Sequence, residues 1–111
     1  MTVNLALEYI PRRMRELGIG SRYYLRFRHF VLKPSETVKI DSTNQFYILI
    51  EEAADVSVVS DFGVFDLSQN NINEMLYEHQ GQITITNYLK TINHLRFIQV
   101  IPTHRRDGDR N

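Results

Sequence analysis

Gln45-Phe46-Tyr47-Ile48-Leu49-Ile50 is followed by Val56-Ser57-Val58-Val59 and then by Val64-Phe65-Asp66-Leu67. Residues 45–67 therefore read as three short strands joined by tight acidic turns. The first, 46–50, is a continuous apolar run, which predicts burial on both faces, whereas the alternation in 56–59 and 64–67 is weaker. Short connections at 51–55 and 60–63 favour antiparallel hairpins over crossovers through helices. The stretch is expected to form the middle of a β-sandwich. Its apolar residues carry no reactive group.

On either side the rhythm continues. Residues 22–32 make the longest strand candidate, with Tyr23, Leu25, Phe27, His29 and Val31 on one face and Tyr24, Arg26, Arg28, Phe30 and Leu32 on the other. Residues 37–40 form a short strand and 41–44 a turn. Residues 82–86 alternate, with Ile83 and Ile85 inward. Residues 95–101 are apolar on both faces and end at Pro102, as a central strand would. Counting gives seven strands, or eight if residues 2–9 are one. Their spacing of about ten residues signals a sandwich or barrel. Residues 2–9 alternate Val3, Leu5, Leu7 and Tyr9, although Leu-Ala-Leu-Glu also suits a helix. Pro11 stands at a good first helical position, and 12–17 make a short helix that Gly18 and Gly20 stop. Residues 72–79 place Ile72, Met75, Leu76 and His79 at helical spacing, which predicts a turn of helix or an irregular loop.

The fold class is thus all-β: an antiparallel, jelly-roll-like sandwich of seven to eight strands with a short N-terminal helix. A basic segment spans 1–21, the sandwich 22–102 and a charged tail 103–111. At 111 residues the chain supports about one domain. With no cysteine it has neither a disulfide framework nor a thiolate metal site, which fits synthesis in a reducing cytoplasm. No apolar run approaches the ~20 residues of a membrane span, and the N-terminal residues lack the pattern of a secretory signal.

The formal charge is zero but unevenly spread. Residues 1–33 carry +5, residues 34–89 carry −8 and residues 90–111 carry +3. Such blocks pair within one fold or between neighbours. Between neighbours, Arg12, Arg13 and Arg15 would meet the acidic turn that holds Glu51, Glu52 and Asp55. Arg26 and Arg28, interleaved with aromatics on one strand face, suit an interface or a single-stranded nucleic acid platform. The polar end of the chain is expected to be held by a neighbour.

No constellation for catalysis stands out. His29, His79, His94 and His104 have no i, i+2 or i, i+4 pair among them, so a metal site is not expected. Glu74, Glu78 and His79 form the one tight acid and histidine group, read as a solvated loop or a subunit contact. Ser57 and Ser60 lack a nucleophile elbow, and the five glycines are too sparse for a phosphate loop. The expectation is a non-enzymatic protein without cofactors.

The strand order, from residues 23–32 through Lys-Pro-Ser-Glu-Thr-Val-Lys-Ile (33–40), 46–50, Gly63-Val-Phe-Asp-Leu and 83–87, resembles the small β-sandwich structural proteins of bacteriophage virions. The resemblance spans residues 20–102 and is one of pattern. It implies a capsid vertex, decoration or connector subunit, made in the host cytoplasm and residing in the virion. Such a subunit would form homo-oligomers and contact other virion structural proteins. The alternative is a binding module for nucleic acid or an acidic protein, acting through the Arg and aromatic strand.

Overall fold

The computed structural model describes residues 2–50, 55–61, 64–66 and 77–103, with the backbone alone for 64–66. The elements are a helix α1 (Val3–Glu16) and strands β1 (Tyr23–Leu32), β2 (Thr37–Ile50), β3 (Val56–Ser60), β4 (Val64–Asp66), β5 (Glu78–Asn87) and β6 (Asn93–Pro102). The chain is mostly β, as expected. The strands form one antiparallel sheet in the order β1-β6-β2-β5-β3-β4.

The described residues form six strands in a single sheet, fewer than the seven or eight expected of a jelly-roll-like sandwich. Residues 37–40 and 46–50 belong to one bent strand, because the chain runs on through 41–44 instead of turning back. Residues 2–9 are helical, which removes the eighth strand. Nor is the stretch 45–67 the middle of the sheet throughout. The end of β2 is central, between β5 and β6, while β3 and β4 lie at one margin.

The sheet folds over on itself. In a flat sheet β1 and β5, three strand spacings apart, would be separated by roughly 14 Å. Yet Asn87 Nδ2 at the end of β5 donates to the Lys33 carbonyl just past β1 at 2.9 Å, and Leu32 of β1 and Val56 and Val58 of β3 are buried in one cluster with Tyr47, Leu49, Ile83, Ile85, Leu95 and Phe97. The bend lies where Ser42 pairs with Gly81 and the next partners are Phe46 and Gln80, so that Thr43, Asn44 and Gln45 stand against no residue of β5. Beyond this bulge β2 keeps β5 through Ile48 and gains β6 on its other side. Residues 37–42 pair only with β5, whereas 46–50 pair with β6. Strands that pass from one half of a sheet to the other at such a bend let the two inner faces pack together.

Gly81 makes the bend on the β5 side. Its φ of +78° is in the left-handed region, and a Cβ there would lie 2.9 Å from the Cβ of Asp61 and closer still to its carboxylate. That carboxylate accepts the amide of Gln82 at 3.1 Å, and the Gly81 carbonyl accepts the Ser42 hydroxyl at 2.9 Å. Gly81→Ala is therefore expected to cost about 1–3 kcal/mol through backbone strain, with the displaced Asp61 adding to it. Chemical denaturation measures the loss, and an unchanged midpoint would show that the bend does not need glycine.

The outer face of the β1-β6-β2 half is covered by α1. The Thr2 hydroxyl caps the helix by accepting the Leu5 amide at 3.2 Å. At the other end Gly18, at φ +78°, closes a Schellman turn, with Ile19 N–H donating to the Met14 carbonyl at 2.9 Å and Gly18 N–H to Arg15 at 3.1 Å. Helix wins over strand here because Leu, Ala and Glu favour it and because the helix buries Ala6, Tyr9, Ile10 and Met14. These side chains join Phe46, Ile48, Ile50, Ile98 and Val100 of the sheet in a second cluster. Pro11 lies inside the helix, not at its start, so the Leu7 carbonyl has no amide to accept from at that turn. No helix among the described residues is long and apolar enough to cross a membrane.

Candidate interaction surface

The arginines singled out from the sequence fall on opposite faces of the sheet. Arg12, Arg13 and Arg15 ride on α1. Arg12 lies over the Tyr9 ring, 5.6 Å from its centroid, and Arg15 is exposed. Arg13 is drawn inward instead: its Nε donates to Oε1 of Glu78 at 2.8 Å and its Nη2 to Oε2 at 3.3 Å. The Tyr9 hydroxyl donates to the same Oε1, and Gln80 Nε2 donates to Oε2 at 2.7 Å. Glu78 is fully buried. The carboxylate hydrogen bond holds the Arg13 guanidinium above its ordinary range, against the opposing effect of burial, with the negative charge of Glu78 acting in the same direction as the bond. Such a raised group contributes its stability at every pH below the ordinary guanidinium range. That contribution is lost only as the pH climbs through the higher folded value, so the guanidinium keeps its charge under all usable conditions.

Glu78 and His79 are thus not a solvated loop. Both sit in β5 with fully buried side chains, Glu78 toward the helix and His79 toward the inner core, as successive strand residues must. Ser60 Oγ lies 3.0 Å from His79 Nδ1, in a place where the imidazole has no exposed surface. Apolar periodicity carried no sign of β5 residues 78–81, because the polar residues and Gly81 interrupt the alternation.

Glu51, Glu52 and the tail from His104 onward lie outside the described residues. Asp55 is exposed at φ +48°, and its carbonyl accepts the Tyr88 amide at 2.8 Å. His29 and His94, distant in sequence, meet on the outer face of β1 and β6 with 2.9 Å between Nε2 and Nδ1. Among the described residues no group of three or more potential metal ligands forms around them or elsewhere.

Arg26 and Arg28 occupy the inner face of β1. Arg28 Nη1 donates to the Tyr47 hydroxyl and to Gln99 Oε1, both at 3.1 Å, and Gln99 in turn donates to Gln45. The Arg28 guanidinium also lies over the Phe30 and Tyr47 rings, 5.3 and 6.0 Å from their centroids. All its partners are neutral, and among the described residues no carboxylate lies within ion-pair range of Arg28 or Arg26. Pairing places Arg26 opposite Gln99, and Gln99 opposite Tyr47, so three strands build the arrangement. Alternation exposed the two arginines in the sequence. It could not reveal Gln45, Tyr47 and Gln99, which register alone brings to them.

β1 is also the end strand of the sheet, bonded along one side to β6. Its exposed large side chains are Tyr24 at 51 %, Phe27 at 64 % and Val31 at 54 %. The result is a ten-residue margin with Phe27 and Val31 on the outer face, Tyr24 beside the guanidinium groups on the inner one, and between them a backbone edge that no other described strand pairs with. No family model, no curated protein and no solved structure matches the chain.

Proposed function

We propose that the chain is a non-enzymatic structural subunit of a symmetric assembly, joined to its neighbours along β1. The carrying observation is the end position of that strand together with the exposure of Tyr24, Phe27 and Val31. Long exposed edges with apolar side chains are liable to pair with other chains, and folded proteins normally shorten, cover or bend them. Here the edge runs for ten residues. A surface of aromatics and arginines has the composition of a contact core. The jelly-roll-like strand rhythm extends the reading to a bacteriophage virion, as a capsid vertex, decoration or connector protein meeting copies of itself and other particle proteins.

Sedimentation velocity over a wide range of concentrations tests the proposal. The protein is expected to associate, and Phe27→Asp is expected to abolish association while leaving the unfolding free energy within about 0.5 kcal/mol of the parent, as for other exposed positions. A protein that stays monomeric throughout, or a Phe27→Asp variant that assembles as the parent does, overturns it.

A further inference from the structure

We propose that the β1 margin takes an added strand from an acidic protein segment in which acidic and apolar residues alternate. The inference rests on β1 being the contact margin and names the chemistry of what it contacts. A strand laid along β1 repeats its pleat, so every second side chain falls on the inner face and the rest on the outer face. On the inner face it meets Arg26 and Arg28, two residues and so about 7 Å apart along the strand. On the outer face it meets Phe27, His29 and Val31.

Arg28 shows why the inner-face side chains would be carboxylates. Its hydrogen bonds all leave from Nη1, so among the described residues the hydrogens on Nε and Nη2 have no acceptor, although the group is half-buried and held in place by Tyr47, Gln99 and two aromatic rings. A guanidinium fork fixed in this way matches a carboxylate with two parallel hydrogen bonds. Arg26 is exposed and has no hydrogen-bond or ion-pair partner among the described residues. A chain segment without acids would leave both charges facing it uncompensated. On the outer face Phe27 and Val31 call for apolar residues, and an alternating segment satisfies both faces at once.

The other anion that suits arginine and aromatics is single-stranded nucleic acid. The formal net charge of zero and pI near 6.9 speak against it, since nucleic-acid-binding domains are typically strongly basic. On the described inner face beside β1 the cations are the two arginines, too few to track a phosphate backbone.

The test uses the full chain and three probes: a ten-residue peptide alternating Glu with Val and Thr, the same peptide with Gln for Glu, and a single-stranded oligothymidylate. The Glu peptide is expected to bind, with the Gln peptide at least tenfold weaker, and to slow amide exchange at alternate residues of β1. Arg26→Glu is expected to weaken the Glu peptide at least tenfold without changing the far-ultraviolet circular dichroism. The proposal falls if the Glu and Gln peptides bind alike, if neither binds, if β1 amides stay unprotected in the complex, or if oligothymidylate binds more tightly than the Glu peptide. Failure here is distinct from failure of the assembly reading. Association lost in Phe27→Asp but indifferent to acidic peptide keeps that reading and sinks this one, and peptide binding by a permanent monomer does the reverse.

Discussion

Glu78→Ala is expected to lower the unfolding free energy by about 3–5 kcal/mol, the usual result of deleting one member of a buried ion pair. Glu78 has no exposed surface and the Arg13 side chain retains only 14 %. Deleting the carboxylate leaves the Arg13 charge in a poorly solvated site and takes the acceptor from both the Tyr9 hydroxyl and the Gln80 amide. Most of the cost is that uncompensated charge and not the worth of the pair itself. Replacing both partners, Glu78→Leu with Arg13→Met, is therefore expected to recover much of the loss, and the double-mutant cycle measures the coupling. The destabilised variant should lose amide protection first in α1, because the carboxylate ties Tyr9 and Arg13 of the helix to β5. An unfolding free energy for Glu78→Ala within about 1 kcal/mol of the parent, from urea titration at unchanged slope, would mean that the carboxylate is hydrated and the helix is held by its apolar face alone.

Phe97→Ala is expected to cost a similar amount, about 3–5 kcal/mol, by a different route. Phe97 is fully buried in the middle of β6 and meets the rings of Phe30 and Tyr47 edge-on, each 5.7 Å between centroids. Truncation leaves a cavity where the two halves of the folded sheet pack together, and it removes two aromatic contacts worth roughly 0.5–1.5 kcal/mol each. Against a typical domain stability of about 5–15 kcal/mol, that is a large share. The loss should reach the surface as well. Tyr47 and Phe30 lean on Phe97 and also hold the Arg28 guanidinium, so Phe97→Leu, which keeps most of the volume, is expected to fold but to bind the acidic peptide less well. A Phe97→Ala protein as stable as its parent would place the ring outside the core.

The amino-acid sequence by itself determined where most of the strands lie and which apolar side chains they bury. The alternation of Ile83 with Ile85, the apolar run 46–50 and the two-sided apolar character of 95–101 all answer to local burial, which a period of two records directly. It also separated Arg26 and Arg28 from Phe27 and Val31 onto opposite faces, and so half of the interaction surface was legible. Only the tertiary structure decided what each strand pairs with. Apart from β3 with β4, every pairing joins elements distant in the sequence, and periodicity says which face is buried but not which strand lies alongside. The helix at 3–16 shows the same limit, since Val3, Leu5, Leu7 and Tyr9 satisfy strand alternation while Ala6, Tyr9, Ile10 and Met14 satisfy a helix stripe, and the sheet beneath selects the second. Glu78 reads from its neighbours as a solvated acid. It is buried because Arg13, 65 residues away, meets it there, and the cost of desolvating a charge is offset only once folding has brought its partner.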